Sequence, residues 1–364
     1  MKPYDIGFLG GGQLARMSIQ AAQRMGLRCL SLDPGVDTPA SQVADDLTGR
    51  LDDPDKVADV FRSCHRVTLE NEFIPAGVIS EALVFSGTDP EVLTPSVQTL
   101  QTIQDKLHQR EAYLRHGAPT PLAVDVNHAV EQIGFPMVLK ARFGGYDGKG
   151  TRYARTAEDF ESHRPLWEQG GWLAEQFVPF RRELAVMVAR SRTKTVCFPT
   201  METIQKNHVC DLVFPSGTDA SEAAISAVEA VEGYGLFGVE LFELEDGSFK
   251  INEIAPRPHN TGHYTLDWGG ISQFEMHVRL TMGYDIPQPK GQPACMANIL
   301  GVETDRDWRV GMEATFRTEP TAHFHWYGKS EMKPGRKMGH VNAVGEDCRE
   351  IAVRAREAWV RALS

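Results

Sequence analysis

The segment FPMVLKARFGGYDGKG, residues 135–150, constrains the chain more than any other. Phe135 to Ala141 is a short apolar run centred on Val138 and Leu139, the pattern of a buried strand, with Lys140 near its downstream end. Gly144, Gly145, Gly148 and Gly150 then fall within seven residues, interrupted by Tyr146, Asp147 and Lys149, before strand character returns at 151–154. Glycines let backbone N–H groups approach an oxyanion, and a lysine adds a point charge. The segment therefore reads as a cover for a polyphosphate; an ordinary hairpin with spare glycines is the plainer alternative. It is not the phosphate loop of GxxxxGK followed by Ser or Thr, because Gly150 stands where a hydroxyl would have to hold Mg²⁺.

At 364 residues the chain exceeds one ordinary core, so two or three domains are expected. No apolar run approaches the roughly 20 residues that span a bilayer, which excludes a membrane partner. The start, MKPYDIGFLGGG, runs straight into a strand and carries no signal-peptide pattern. Cys29, Cys64, Cys197, Cys210, Cys295 and Cys348 form no CxxC pair, which points to a reducing cytoplasm and away from zinc or a disulfide framework. A net charge of −11 argues against nucleic acid as a partner. Anionic small molecules would need local basic pockets.

The N-terminal part has an α/β pattern. Asp5–Leu9 reads as a strand, Gly10-Gly11-Gly12-Gln13-Leu14-Ala15 as a tight turn, and Leu14, Met17, Ala21 and Met25 continue at helical spacing. Leu27–Leu32 is a second strand, ending at Asp33. This fits the dinucleotide fingerprint, with an acid about 20 residues on, and so raises an NAD-dependent dehydrogenase as an alternative. A short helix at 57–62 and a strand at 66–69 lead to Glu70-Asn71-Glu72. Acids at a strand's C-terminal end either face the ligand crevice of an open sheet or decorate a solvated loop. Residues 96–116 read as one helical segment with Lys106 near its middle, and Gly117-Ala118-Pro119-Thr120-Pro121 as a break.

After the glycine loop, 157–167 is helical and 172–178 a strand. The latter could line an adenine pocket through its backbone and Glu175, or be an edge strand with no ligand. Glu183–Ala189 is a strand opened by an acid, and 220–234 an alanine-rich helix. Residues 238–255, GVELFELEDGSFKINEIA, flank Asp246-Gly247 with two alternating runs. Asp-Gly predicts a two-residue type I′ turn, and that register sets Glu240 opposite Glu253. Facing carboxylates repel by some tenths of a kcal/mol, so a cation is expected between them, with Asn252 offering an amide. A solvent-facing strand pair whose acids never meet is the alternative.

The loop PRPHNTGH, 256–263, is too polar for a mere connector. Arg257 could clamp an oxyanion, and His259 and His263 could touch a ligand or only brace the loop. Residues 272–282 are helical and 287–291 a linker, and a C-terminal β-rich unit opens at Cys295–Leu300. A strand at 323–327 delivers Lys329, and Lys333, Arg336 and Lys337 complete four cations in nine residues of an acidic chain. A phosphate site or a solvated turn would each use them.

Together these pieces resemble the ATP-grasp superfamily, and within it the 5-(carboxyamino)imidazole ribonucleotide synthases of purine biosynthesis. The resemblance rests on GGGQL (10–14), ENE (70–72), the 135–150 segment, EQFV (175–178), Glu240 with Glu253, NEIAPRPHNTGH (252–263) and WYGKSEMKPGRKMGH (326–340), in order along nearly the whole chain. It implies an ATP-grasp fold of α/β and α+β units: a Rossmann-like pre-ATP-grasp domain at 1–104, a lid subdomain at 105–174, a large subdomain at 175–290 and a small β-rich domain at 291–364.

The reaction so implied is ATP- and bicarbonate-dependent carboxylation of 5-aminoimidazole ribonucleotide through carboxyphosphate, by a cytoplasmic homodimer. The resemblance sets Lys106 and Lys140 on ATP phosphates under the lid Gly144, Gly145, Tyr146, Asp147, Gly148, Lys149 and Gly150. Glu175, Gln176, Phe177, Val178 and Glu183 would take adenine and ribose, with Gln205, Asn252 and Glu253 also at ATP, and Glu240 with Glu253 would hold Mg²⁺. Gln13, Leu14, Glu70, Tyr146, Asp147, Lys149, His259, Asn260, Lys329 and Arg336 would hold the ribonucleotide. Asp147, Lys149, Arg257 and Lys329 would act in the chemistry, Asp147 by relaying the amine proton and Arg257 by stabilising carboxyphosphate. Lys149 replaces an arginine and Gln205 a histidine usual in the family. A formate-dependent ligase acting on glycinamide ribonucleotide would share the fold; a non-catalytic nucleotide module would not need both phosphate sites.

Overall fold

The computed structural model describes residues 2–145 and 150–364, so the expectations attached to Tyr146, Asp147, Gly148 and Lys149 lie outside the described residues. The described residues form three sheets. The first is parallel, in the order Asp45–Thr48, Cys29–Asp33, Tyr4–Leu9, Cys64–Leu69, Leu93–Thr94. Its middle strands are apolar on both sides, as helices on both faces require. Leu9, Leu32, Val67 and Leu69 join Val57 and Phe61 in one core, while Ile6 and Phe8 pack with Ala15, Ile19 and Val278 in another. Strand order reverses about Tyr4–Leu9, and the crevice beyond its C-terminal end is where such sheets take ligands.

Residues 96–116 are two helices rather than one. Ser96 caps Val97–Gln104, and Asp105 caps Lys106–His116 by accepting from Leu107 N at 3.0 Å. An aspartate that bonds the backbone ahead of it starts a helix better than it continues one. Lys106 thus opens a helix instead of lying inside one.

The second sheet is antiparallel: Ala123–Asp125, Trp172–Gln176, Met137–Ala141, Thr151–Ala154. Lys140 pairs with Thr151, so the glycine loop joins two neighbouring strands. The third sheet has nine antiparallel strands and runs from the edge strand Phe249–Ala255 through Gly235–Glu243 and Arg182–Arg190 to Met201–Lys206, Val209–Pro215, Ala294–Leu300, Lys337–Val344 and His323–Trp326, with the short strand Thr195–Cys197 pairing off this path on Arg182–Arg190. The C-terminal strands therefore extend the large sheet, and the helices Trp308–Thr318 and Cys348–Leu363 accompany them. Leu184, Val186, Phe237, Val239, Leu241, Ile251 and Ile254 bury one face against the helix Ser221–Ala230, whose Ala223, Ala224 and Ala227 let it lie close. Each such apolar side chain contributes roughly 1.5–3 kcal/mol. The opposite face of the hairpin is left for polar groups.

The hairpin turn differs from expectation. Leu244 N bonds Ser248 O, Gly247 N bonds Leu244 O, and Gly247 has φ +79°, which makes a three-residue loop rather than a two-residue one. Glycine at that left-handed position completes a type I turn with a bulge, an alternative that Asp-Gly serves equally well. The turn shifts register by one, so that Leu241 faces Ile251. A second irregularity shifts it back, so that Glu240 does face Glu253. Asn252 is the extra residue.

Candidate active site

A cleft of about 1300 Å³ is lined by the crevice of the first sheet, the hairpin and the C-terminal cations. Its floor is the bulged strand. Ile251 and Ile254 both point into the core although three positions apart, which strict alternation forbids. The bulge resolves this by turning Asn252 and Glu253 to the cleft together. Lys106 Nζ lies 3.6 Å from Glu253 Oε1, and His259 Nε2 lies 3.9 Å from Glu240 Oε1. Burial would raise the Glu253 pKa, but Lys106 and Lys140 bring it below its ordinary value, so the carboxylate is ionised at neutral pH.

Lys140 donates to Glu175 Oε2 at 2.7 Å and to Asn252 Oδ1 at 3.4 Å. Glu175 also accepts from Arg110 Nε at 2.7 Å. Burial pushes Glu175 toward its neutral form, but the two cations win and hold its pKa at about 2. Burial lowers the Lys140 pKa, against the pull of Glu175. The Glu175 side chain is therefore committed inside the protein, and what it offers an adenine is backbone. Gln176, Phe177 and Val178 continue along the cleft wall, and Phe180 and Phe242 stack beside them at 4.4 Å and 10°. Burial raises the Glu183 pKa, opposed by a hydrogen bond with Gln205. His208, at the tip of the hairpin 201–215, lines the same end.

The first sheet supplies the opposite wall. Glu70 accepts from Leu14 N at 3.4 Å and Asn71 Nδ2 at 3.3 Å, and burial raises its pKa against Arg257. A Cβ on Gly12 would sit 2.3 Å from Glu70 Oε1, so the turn needs glycine to admit that carboxylate. Asp33 spends its oxygens on Gly11 N at 2.8 Å and Gly35 N at 2.9 Å. It closes the turn instead of standing open for a ribose, which removes the support for a dinucleotide.

Arg257 presents its fork to Glu72, at 2.5 and 2.8 Å, and its remaining edge to Pro258 O. The clamp expected for an oxyanion is thus closed on an internal carboxylate. His259 contacts Thr261 Oγ1 at 2.9 Å and is kept neutral by burial beside Arg257. Asn260 and Asn298 exchange amide bonds at 3.0 and 2.6 Å. Among the C-terminal cations Lys329 Nζ donates to Lys337 O at 2.6 Å and lies 5.6 Å from the Tyr327 ring, while Arg336 donates to Glu331 O.

Every expected site residue among the described ones lines this cleft except Gly144, which borders an adjoining pocket of about 290 Å³ next to Glu253. Lys106, Lys140, Gly145, Gly150, Asn252, Glu253 and Glu240 line it together, while Gln13, Leu14 and Glu70 share their part of it with Lys329 and Arg336, because Tyr327 packs on Leu14 and Gly328 O accepts from Gln42. The structure adds Phe180, Phe242 and His208 to the lining and Arg110 behind it, and brings the acid Glu72 and the cation Lys337 to the same cleft. Arg110 sits in KLHQREAYLRH, which looks like a solvated helix, and no spacing rule singles it out. Among the described residues no three His, Cys, Asp or Glu side chains form a metal-ligand cluster, and no helix is long and apolar enough to cross a membrane.

Three family models match the chain: a ribonucleotide synthetase preATP-grasp domain over 2–104, an ATP-grasp domain over 118–274 and a phosphoribosylaminoimidazole carboxylase C-terminal domain over 294–354. The N5-carboxyaminoimidazole ribonucleotide synthase of Synechococcus elongatus is 38% identical over 92% of this chain and 88% of its own length. The phosphoribosylaminoimidazole carboxylase of Schizosaccharomyces pombe is 36% identical over 96% of this chain, which spans 66% of that longer protein. The crystal structure of the Aspergillus clavatus N5-carboxyaminoimidazole synthase with ADP and 5-aminoimidazole ribonucleotide superposes with a TM-score of 0.87 at 30% identity, covering 99% of this chain and 98% of that one. With an ATP-grasp architecture, a carboxylate pair beneath two lysines and this similarity along both chains, the protein belongs to the N5-carboxyaminoimidazole ribonucleotide synthase family of ATP-grasp ligases.

Proposed function

We propose that this chain carboxylates 5-aminoimidazole ribonucleotide at its exocyclic amine, using ATP and bicarbonate and releasing ADP and phosphate. The observation that carries the reading is the facing pair Glu240 and Glu253 beneath Lys106 and Lys140, with a separate cationic end at Lys329 and Arg336 in the same cleft. One cleft thus offers two places for phosphate, as a nucleotide triphosphate and a ribonucleotide monophosphate together require.

ATP would lie with adenine against Gln176–Val178 and the Phe180–Phe242 stack, and with its phosphates over Lys106 and Lys140. Two carboxylates in register, with the Asn252 amide beside them, fit a hard divalent ion that takes one or two carboxylates plus phosphate oxygens. Mg²⁺ held by Glu240 and Glu253 would neutralise charge on the phosphate oxygens. Lys106 and Lys140 steady the same oxygens in place while bicarbonate oxygen attacks the γ-phosphorus, giving carboxyphosphate and ADP.

The amine then takes the carboxyl group and phosphate leaves. Asp147 relays the amine proton and Lys149 assists from the lid. Arg257, braced by Glu72, borders the space where carboxyphosphate forms, and Glu70 with Gln13 and Leu14 faces the base. Lys329 and Arg336 hold the ribonucleotide phosphate. Gln205 supports Glu183 at the nucleotide end in place of an imidazole. All six cysteines are free, which supports a reducing compartment.

The test is an ADP-release assay with each component omitted in turn. Release should need Mg²⁺, bicarbonate and the aminoimidazole ribonucleotide together. Release supported by formate and glycinamide ribonucleotide instead would overturn the reading.

A further inference from the structure

Arg110 joins two segments of the site that lie far from its own in the chain. Its Nε donates to Glu175 Oε1 at 2.7 Å, Nη1 to Ile251 O at 3.1 Å and Nη2 to Asn252 O at 2.6 Å. The Arg110 and Glu175 side chains are each 4% exposed, so solvent screens their interaction little. The two carbonyls belong to the edge strand at its bulge, where no further strand supplies donors. On the same edge Ile251 N is satisfied by Pro119 O at 2.7 Å. Arg110 therefore does for the bulge what a ladder would do for a regular strand.

The charge balance gives Arg110 a second consequence. Arg110 and Lys140 share Glu175, so the trio carries one surplus positive charge, and Lys140 is the cation of the trio that lines the cleft. Without Arg110 the buried remainder would be a neutral lysine–carboxylate pair with little to offer a phosphate.

We propose that Arg110 is a positioning residue of the nucleotide site. It occupies half of Glu175 so that Lys140 keeps a surplus charge for an incoming phosphate, and it pins the bulge that turns Asn252 and Glu253 into the cleft together. The inference rests on the reading that Lys140 meets nucleotide phosphate. A buried ion pair that only stabilises the fold would place the same atoms, so the test must separate charge from packing.

The experiment measures Mg²⁺–ADP binding by calorimetry, and ADP-forming kinetics, on the full chain. The wild type, Arg110→Met, Arg110→Lys and the double variant Arg110→Met/Glu175→Gln are compared. Arg110→Met should weaken ADP binding by about tenfold or more, the scale of a lost charge-assisted contact. The double variant still leaves both carbonyls without donors, so its melting temperature should stay as low as the single variant's. Its ADP affinity should nevertheless recover, because Lys140 again has a surplus charge. Arg110→Lys keeps the charge and loses the fork, so it should bind ADP nearly normally while kcat falls and the Mg²⁺ requirement rises.

A double variant that binds ADP no better than Arg110→Met would overturn the charge role. Unchanged kcat and Mg²⁺ dependence in Arg110→Lys would overturn the pinning role, and this arm stands even if Arg110→Met fails to fold. Failure of the wild type to bind ADP would instead sink the nucleotide reading of the cleft.

Discussion

Glu240 and Glu253 face each other across the hairpin because Asn252 is an extra residue in its strand. Without that residue the three-residue turn would leave Glu240 opposite Asn252 and the two carboxylates out of register. The bulge spends one ladder position to put an amide and a carboxylate side by side on the cleft floor.

Glu253→Gln should lower kcat by about a hundredfold or more at saturating Mg²⁺, the scale of losing one preorganised group that acts on the transition state. The melting temperature should fall only slightly, since relief of the repulsion from Glu240 offsets part of the attraction lost to Lys106 and Lys140. Steady-state ADP release beside a thermal melt checks both, and near-normal turnover would count against the metal hairpin.

Lys140→Met should raise the KM for ATP by about tenfold, because a charged contact to phosphate is worth on the order of 1.5–3 kcal/mol. The KM for the ribonucleotide should move little. Glu175 keeps Arg110 as its partner, so the variant should still fold. Equal shifts in both KM values would mean that Lys140 serves the cleft as a whole.

Lys329→Met should show the opposite split: a KM for the ribonucleotide raised by about tenfold and a KM for ATP nearly unchanged. Initial rates with one substrate varied at a time decide it. A change confined to ATP would move the second phosphate site elsewhere.

Acid should destabilise the fold early. His263, His277 and His340 are buried and His259 is half-buried, and all four are held below the ordinary value of 6.5, His277 to about 3. Below pH 6.5 the unfolded chain takes up protons that the folded chain refuses until pH nears the folded pKa. Stability is therefore present above 6.5 and lost as pH falls, by up to about 1.4 kcal/mol per pH unit for each histidine. Urea midpoints should fall between pH 7.5 and pH 5.5, and midpoints that hold level would contradict the neutral burial of these rings.

Much of this site was legible because its signals are local. Asp246-Gly247 between alternating runs announces a hairpin, Gly10–Gly12 a tight turn, and Lys140 before four glycines a phosphate cover. What escaped depends on partners far along the chain. The turn type and the bulge each shift the register by one, and their cancellation let a wrong turn yield the right pair, Glu240 and Glu253. Arg110 is unremarked in sequence because its partners, Glu175, Ile251 and Asn252, lie 65 to 142 positions away. Asp33 completes a fingerprint in one dimension, yet in three its carboxylate is already taken by Gly11 and Gly35. The hairpin 201–215, which brings Gln205 and His208 to Glu183, turns on Asn207 and His208 at positive φ, a pair with only one recognisable turn residue.

The central claim is that this cleft activates bicarbonate by phosphorylating it, and transfer of heavy oxygen tests it most directly. With bicarbonate carrying heavy oxygen, and with ATP and the ribonucleotide present, mass spectrometry of the released phosphate should find one labelled oxygen per turnover. Phosphate free of label during full turnover would show that bicarbonate never bonded to the γ-phosphorus, and would contradict the account.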